Sequence, residues 1–495
     1  RGSLLFLRPR TQTQRAVARA PAMGAALGIM ERDEHERALE AARARLRALA
    51  KPVGSLGALE DWAARLAALQ RPYWPAADRP AASVRAPALL VFAADHGCVL
   101  AHPSLSAFPR AVTLAIFRTI AAGGAASAVL AKANGASLEL IDVGVDGDTS
   151  TAGRADAAYG DVAGGARARD DKRSPSEERG VGSEAERRPL PTEWVSHAAP
   201  HVRVLVRKVA PYGTANSGTA PAMSRAQCAA AMAEGAAAVR RIVARALPAD
   251  DNDVGLSAAA TETGAASAAA AAEGEREAGR DRARAARARR QERGANVVCL
   301  GELGIGNTTA AAALLVALAR PLPADTTRAP APRQPLRAVD AVGVGTGLDE
   351  AARLAKAAFV ERALARHAQL IAAEGALGAL RALGGLELAA MAGAVIEAAR
   401  LRVAVVIDGF IAGAAALAAI RLAPSAAAAL FISHRSAERG ASALAAQLQA
   451  AGCGPAALDL GMRLGEGTGS LVALGVLRSA AAVLEMATLQ EATAL

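Results

Sequence analysis

Short runs of apolar residues alternate along the chain with longer, alanine-rich stretches that have helical spacing. The runs are apolar throughout and partly β-branched, which is typical of strands buried on both faces. They are Ala88–Ala94, Leu138–Val143, Val202–Val206, Asn296–Leu300, Val403–Ile407 and Ala428–Ile432. Because strands and helices alternate, the pattern predicts an α/β fold: a doubly wound, mostly parallel, Rossmann-like sheet with helices on both faces.

Two helices are predicted ahead of the first strand. Leucines fall on one side of a helix over Glu36–Ala50, and apolar residues recur at helical spacing again over Leu59–Leu69. Segment 51–57, which contains one Pro and two Gly, separates the two helices.

Four segments do not fit the alternating pattern. Residues 149–195, 248–294 and 321–336 are rich in small, charged or proline residues, which predicts surface insertions or disordered linkers. Residues 1–30 hold five Arg and no acidic residue. Such a leader is typical of an organellar transit peptide, and equally of a disordered leader without an address. The expected location is therefore the cytoplasm, or a mitochondrion or plastid.

Composition narrows the class of protein. The 495 residues are 52% hydrophobic and 21% charged, which is enough apolar material for a sizeable core. Half of the net charge of +10 comes from the leader, so we do not expect a nucleic-acid partner. No membrane helix is predicted. The four Cys form no CxxC motif and no two His have metal-ligand spacing, so neither a metal site nor a disulfide framework is expected.

Four glycine-containing loops follow candidate strands and carry the candidate chemistry. Ligands of open parallel sheets bind beyond the carboxyl ends of the strands, so these loops are expected to converge. Ala93–Gly97 fits a ligand-positioning loop and equally a capped turn. In Gly301–Thr309, glycines allow close backbone approach and Asn307 is the expected N-cap of a helix that favours phosphate. Glu302 should then face a cationic or proton-donating part of the ligand.

The other two loops extend this pattern. Val342–Asp349, with Lys356 in the following helix, suits a phosphate, although a flexible turn is the alternative. In Arg463–Ser470, Glu466 lies between glycines, so burial would raise its pKa towards that of a general base. A solvated Glu at a glycine-rich helix start is the alternative. The chain has no GxSxG or Walker motif, which argues against serine-hydrolase and P-loop chemistry.

These segments occur in the same order as the motifs of a known family. The matching segments are Lys51–Gly57 with Leu59–Glu60, Phe92–Gly97, Gly213–Asn216 with Pro221–Met223, Gly301–Thr309, Gly345–Gly347, Leu383–Glu387 with Ala390–Gly393, Asp408–Ile411, Ser433–Glu438 and Arg463–Gly469. The chain thus resembles the nicotinate-nucleotide:dimethylbenzimidazole phosphoribosyltransferases, which activate the lower base of cobalamin. The resemblance covers roughly residues 43–148, 203–247, 296–320 and 338–490.

The resemblance implies a reaction and an organisation. Phosphoribose would move from nicotinate mononucleotide to 5,6-dimethylbenzimidazole, in a homodimer, with no metal and no cofactor. The partners would be these small molecules, without nucleic acid or membrane. Residues 87–470 would form the α/β domain, and residues 31–86 with the helix in 471–495 a small helical domain. Transfer to a different base, or binding of a base or nucleotide without turnover, stays open as an alternative.

The resemblance also implies residue roles. Glu466 corresponds to the general base and Glu302 to a second carboxylate at the reaction centre. The positions expected near the nucleotide are Gly304, Gly306, Asn307, Thr308, Gly345, Gly347, Lys356, Asp408 and Ser436. The positions expected around the base are Ser106, Phe108, Leu303 and Leu464. Asp408 is expected to orient Lys356 or the ribose.

Three segments depart from the family. Residues 98–104 are unlike its usual sequence, and residues 110–117 lack the Gln that members often have there. Val344 stands where many members have Arg, so one possible charge on the phosphate side is absent. None of these departures affects the two glutamates or Lys356, but the preferred lower base is left open.

Overall fold

A single parallel sheet organises the molecule. The structure, a computed structural model, describes residues 32–74, 79–150, 199–245, 294–319 and 335–494. The strands are β1 (Ala88–Ala94), β2 (Ser137–Gly144), β3 (Val202–Val206), β4 (Val297–Leu303), β5 (Ala404–Ile407) and β6 (Leu430–Ile432). They lie in the order β3-β2-β1-β4-β5-β6 and every neighbouring pair is parallel. The predicted α/β, Rossmann-like class is confirmed.

The helices connect these strands and extend the molecule at both ends. They are α1 (Arg32–Ala48), α2 (Ala58–Leu69), α3 (Gly97–Ala101), α4 (Val112–Ala121), α5 (Ala126–Ala133), α6 (Arg225–Ala244), α7 (Asn307–Leu318), α8 (Ala338–Ala341), α9 (Glu350–Arg366), α10 (Ala368–Leu383), α11 (Leu386–Arg400), α12 (Phe410–Leu422), α13 (Ala441–Ala450), α14 (Thr468–Val472), α15 (Leu474–Val483) and α16 (Leu489–Thr493). Helices α4 and α5 together form the one described stretch, Val112–Ala133, that is long and apolar enough to cross a membrane. The stretch is broken at residues 122–125, and α4 packs on the sheet as core helices do.

The order of the strands reverses between β1 and β4, where neighbouring connections leave in opposite directions. In parallel sheets with this order, the loops beyond such a point leave a crevice for ligands. All residues of β1 and β4 are buried, which explains why both read as continuous apolar runs.

The predicted strand bounds are close to the observed ones except in β4. The sequence predicts its end at Leu300, but the strand continues to Leu303 because β1 pairs with it through Phe92↔Glu302 and Ala93↔Leu303. Glu302 therefore projects from a strand held on one side by β1, and the prediction of a loop at Gly301–Leu303 is wrong. The strand β6 is also shorter than predicted, because Pro424–Ala429 forms a 3₁₀ turn ahead of it.

The two ends of the chain lie side by side. Ala50 N donates to Ala487 O at 2.9 Å, and Arg45 donates to Met486 O at 2.8 Å. Helix α15 packs against α2, and Arg65 of α2 donates to Leu430 O at the edge strand. These contacts are consistent with a small helical unit, whose boundaries at 31–86 and 471–495 stay predictions.

Most of the predicted leader and insertions lies outside the described residues, namely in 1–31, 151–198, 246–293 and 320–334. The four cysteines are all described, and each is buried and unpaired.

Helices α6 and α11 cross with their backbones in contact. A Cβ atom on Gly235 would lie 1.7 Å from Ala390 O, and one on Gly393 would lie 2.0 Å from Met232 O. Both distances are far below van der Waals contact, so neither position has room for a side chain. Because α11 also packs on β1, β2, β4 and β5, this crossing fixes the layer that covers one face of the sheet.

We expect Gly235→Ala to lower the free energy of unfolding by about 1–3 kcal/mol, because the two helices must separate to admit a methyl group. The control is Gly475→Ala in α15, where an added Cβ meets no atom within 4 Å. That variant should be neutral or stabilising by up to about 1 kcal/mol, since Ala favours helix over Gly. Urea denaturation of both variants tests this, and equal midpoints would contradict the close crossing.

Candidate active site

A buried glutamate, Glu302, and a half-buried one, Glu466, meet where β4 ends. Glu302 is the penultimate residue of β4, and Glu466 lies in the turn that precedes α14. A Cβ atom on Gly465 would lie 2.4 Å from Glu302 Oε1, and one on Gly301 would lie 2.5 Å from the carbonyl carbon of Glu466. The absence of side chains at these two glycines lets the turn carrying Glu466 contact the strand carrying Glu302.

Glu302 is 4% exposed and accepts a hydrogen bond from the side-chain amide of Asn307. Burial raises the pKa of Glu302 well above its usual value, and the neighbouring carboxylates of Asp408, Glu387 and Glu466 raise it further. A carboxyl group in this environment binds a proton readily, and a nearby cation would favour its ionised form.

Asn307 does not cap the helix that follows, so that prediction is wrong. Gly306 is the N-cap of α7, with a φ of 98°, and Asn307 is the first helical residue. The side chain of Asn307 is engaged by Glu302 instead of turning back onto the helix backbone. No side chain caps the start of α7, where the amides of Asn307 and Thr309 donate to the carbonyls of Gly304 and Gly306. The positive end of the helix dipole favours an anion there.

Glu466 has a backbone conformation that is rare for a residue with a side chain. Its φ is 60°, between Gly465 at 90° and Gly467 at 81°. Such strain persists where the surroundings enforce it. Ser127 of α5 donates to Glu466 Oε2 at 3.0 Å, and burial raises the pKa of Glu466. Glu466 thus lies in an environment suited to a general base.

Asp408 holds this turn in place. Its buried carboxylate accepts hydrogen bonds from the backbone N–H groups of Gly467, Gly469 and Ser470 at 3.2, 2.6 and 3.3 Å. Burial raises the pKa of Asp408 to about 7. In the described part of the chain no hydrogen bond joins Asp408 to Lys356, so the expectation that it orients this lysine is not met. The three amides already occupy its carboxylate.

Lys356 lies on α9, and its ammonium group reaches the start of α7. It is 1% exposed, and its Nζ donates to Thr308 Oγ1 at 2.7 Å. Burial lowers the pKa of Lys356 to about 8. A Cβ atom on Gly345 would lie 3.3 Å from Nζ, so this glycine covers the ammonium group closely. An ammonium group, a hydroxyl and the positive end of a helix dipole form an arrangement suited to phosphate.

Other predicted nucleotide positions surround these groups. Gly304 packs on β1, since its Cβ would lie 2.3 Å from Ala94 O, and Gly347 has a φ of 115°. Ser436 and Asp408 line a cavity of about 360 Å³ at the carboxyl ends of β5 and β6, beside the uncapped start of α12. Apolar residues of α12 and α13 line part of this cavity.

The predicted base positions are only partly brought together. Ser106 Oγ lies 3.4 Å from Thr346 Oγ1, which joins the loop before α4 to the loop before α9. Phe108 and Leu464 are 48% and 60% exposed, whereas Leu303 is buried. The two exposed apolar side chains are available to a ligand.

Two residues that contribute to the candidate site were not predicted from the sequence. Ser127, which binds Glu466, lies in an alanine-rich helix far away in sequence and carried no signal. Glu438 is buried, its pKa is raised by burial, and the charge of Lys356 opposes that rise. Glu438 stands in a segment that the sequence marks as polar, but only the fold shows which cation it faces.

The arrangement separates two kinds of chemistry within one crevice. Carboxyl groups with raised pKa values can accept a proton or stabilise a cation, while Lys356 and the start of α7 can hold an anion. Among the described residues no group of His, Cys, Asp and Glu is arranged to hold a metal ion. The site fits proton removal and charge stabilisation on a phosphorylated ligand.

This chain is similar in sequence and in structure to known proteins. A sequence model of a family described as phosphoribosyltransferase matches residues 32–275 and 249–494. The nicotinate-nucleotide–dimethylbenzimidazole phosphoribosyltransferase of Chloroflexus aurantiacus is 33% identical over 458 residues, which cover 92% of this chain and 94% of the relative. The protein of that name from Chromobacterium violaceum is 36% identical and is covered to 95%. The crystal structure of CobT from Thermus thermophilus superposes with a TM-score of 0.62 at 32% identity, covering 92% of this chain and 98% of that one.

The pKa of Asp408 predicts a pH dependence. A carboxyl group whose pKa is about 7 in the folded protein, against an ordinary 3.8, binds its proton more tightly when folded. Its contribution to the free energy of unfolding therefore falls as pH rises from about 4 to about 7 and is level above. We expect Asp408→Asn to lack this fall when denatured in urea at pH 5 and pH 8. The exposed Asp340→Asn should keep the wild-type dependence, and identical behaviour of both variants would contradict the assignment.

Proposed function

This chain belongs to the nicotinate-nucleotide–dimethylbenzimidazole phosphoribosyltransferase family, and on that premise we propose the reaction and the residues that perform it. The chain transfers phosphoribose from nicotinate mononucleotide to 5,6-dimethylbenzimidazole and forms α-ribazole 5′-phosphate and nicotinate. The observation that carries the residue assignment is the contact between the strand of Glu302 and the turn of Glu466. Glu302 is buried and Glu466 is half-buried, and both carboxyl groups have raised pKa values.

The bond changes require one proton acceptor. The bond between C1′ of the ribose and the pyridinium nitrogen breaks, and its electron pair leaves with nicotinate, so no acid is needed for departure. One nitrogen of the benzimidazole attacks C1′, while the proton on the other nitrogen must be removed. Glu466 takes that proton, and its raised pKa makes it a stronger base than an ordinary carboxylate.

Glu302 stabilises positive charge on the sugar. Glycosyl transfer passes through a state in which C1′ and the ring oxygen share a positive charge. An ionised carboxylate next to that charge lowers its energy, and the approach of the pyridinium nucleotide favours ionisation of Glu302 in turn. Asn307 orients the carboxylate through its amide hydrogen bond.

Lys356, Thr308 and the positive end of the α7 dipole bind the phosphate. The Lys356 ammonium group is fixed by Thr308 before the nucleotide arrives, so little side-chain ordering is required on binding. Ser436, which lines the cavity beside α12 together with Asp408, contributes a hydroxyl to nucleotide binding. We propose that the active form is a homodimer, which light scattering would show as twice the mass of 49.9 kDa.

A different acceptor base is the second candidate. The polar side chains in 110–117 are largely engaged within the protein: Arg110 pairs with Asp146, and Thr113 Oγ1 accepts from Ile305 N at 3.1 Å. The segment therefore offers the base a largely apolar surface. Competition between dimethylbenzimidazole, unsubstituted benzimidazole and adenine at equal concentration, with products separated by mass spectrometry, would identify the preferred acceptor.

The central test uses Glu466→Gln, which keeps the shape of the side chain and removes its basicity. With nicotinate mononucleotide and dimethylbenzimidazole, the wild type should form α-ribazole 5′-phosphate, and the variant should lose about 10²–10⁴-fold in kcat. Glu485→Gln, at an exposed position just beyond α15, is the matched control and should be unchanged. Equal activity of Glu466→Gln and the wild type would move the role of base to Glu302. Absence of product with every base would overturn the transferase assignment.

The pKa of Lys356 gives a second test. Because burial lowers this pKa to about 8, the ammonium group loses its charge as pH rises above that value. We expect the Kd for nicotinate mononucleotide, measured by calorimetry, to increase by up to about tenfold per pH unit above pH 8. Lys356→Met should bind weakly at all pH values, while the exposed Lys132→Met should follow the wild type. A wild-type Kd that is constant from pH 7 to pH 9.5 would exclude this role.

A further inference from the structure

A buried ion pair lies directly beneath the nucleotide-binding turn. His96 follows β1, and Glu387 is the second residue of α11. His96 Nε2 lies 2.7 Å from Glu387 Oε1, and the two side chains are 2% and 0% exposed. Burying both charges of such a pair has a large desolvation cost. Replacing both residues of a buried ion pair by apolar ones often leaves stability unchanged or raises it, so stability alone does not explain the pair.

The pair is incompletely satisfied. Glu387 Oε2 has no hydrogen-bond partner in the described part of the chain. Buried carboxylate oxygens without a partner are uncommon, and each needs a reason. Packing of α11 on the sheet does not require the pair, because the apolar side chains of α11 already contact β1, β2, β4 and β5.

The surroundings of the pair are shaped for it. A Cβ atom on Gly385 would lie 2.5 Å from Glu387 Oε2 and 2.6 Å from His96 Cε1. On the opposite side, a Cβ atom on Gly304 would lie 3.5 Å from His96 Cδ2, and one on Gly306 would lie 3.4 Å from His96 Cβ. The histidine thus supports the Gly304–Gly306 turn from below.

The turn above the histidine connects Glu302 to the start of α7. We propose, resting on the proposed phosphoribosyl transfer, that His96 and Glu387 are a positioning pair: they hold the Gly304–Gly306 turn, and through it Glu302 and the start of α7, in the geometry that the nucleotide requires. Neither residue touches the reacting atoms. Their effect on the reaction passes through the backbone of the turn and through charge.

The charges around His96 agree with this role. Burial lowers the pKa of His96, but the charge and hydrogen bond of Glu387, together with Asp95, outweigh it and raise that pKa above the usual value. Arg110 opposes the rise from the loop before α4, and Cys98 and Glu302 are the other titratable groups near the pair. The imidazolium form of His96 is thereby favoured. It offsets the charge of Glu387, which otherwise adds to the rise in the pKa of Glu302.

The test compares Glu387→Gln with Glu397→Gln. Both residues lie on α11, and Glu397 is paired with Arg240 and Arg400 away from the site. We expect Glu387→Gln to lower kcat/KM by about 10–100-fold, as small misplacements of reacting groups do, with Glu397→Gln unchanged. The acid limb of the pH profile of kcat/KM should also move to lower pH in Glu387→Gln, because one negative charge beside Glu302 is gone. His96→Gln should move it to higher pH.

A purely structural role would lower the folded fraction in a thermal scan and leave the acid limb in place, and that result would overturn the proposal. If either single variant does not fold, the neutral double variant His96→Gln with Glu387→Gln replaces it, and wild-type kinetics in that variant would overturn the proposal equally. If the wild type shows no transfer at all, the proposed function fails on its own account. The pair is then judged by the Kd for nicotinate mononucleotide, which must rise in Glu387→Gln and not in Glu397→Gln.

Discussion

The site depends on bringing acidic side chains together in a place from which water is largely excluded. Glu302 projects from an internal strand, and the turn carrying Glu466 packs on that strand through Gly301, Gly465 and Gly467. Burial raises the pKa values of both glutamates, and neighbouring carboxylates raise that of Glu302 further. The same desolvation that makes the cluster costly gives it the capacity to take up a proton or to stabilise a cation.

The rest of the structure keeps this cluster in position. The parallel sheet provides rigid strand ends, and the reversal of strand order between β1 and β4 leaves the crevice open. Asp408 extends that rigidity to the turn of Glu466, because three backbone amides converge on its carboxylate. The His96–Glu387 pair has the corresponding place beneath the turn that follows Glu302.

Anionic and cationic groups are kept apart within the crevice. Lys356 is fixed by Thr308 at the start of α7, while Glu302 and Glu466 lie at the end of β4. A pyridinium nucleotide carries a phosphate and a cationic ring attached to the same sugar, so its charge pattern is the complement of this arrangement. Departure of a ring that is already cationic also explains why a single carboxylate base is sufficient for the transfer.

The sequence by itself determined the fold class, the family and most of the chemistry. Buried parallel strands read as apolar runs, and glycine-rich loops after them locate Glu302, Lys356 and Glu466, because these patterns follow from local sterics and hydrophobicity. Tertiary structure alone decided where β4 ends, which partner Asn307 has and what Asp408 holds. Ser127 and the pairing of His96 with Glu387 also carried no sequence signal. Each of these is a contact between residues distant along the chain, and the packing of separate elements, rather than local propensity, selects such contacts.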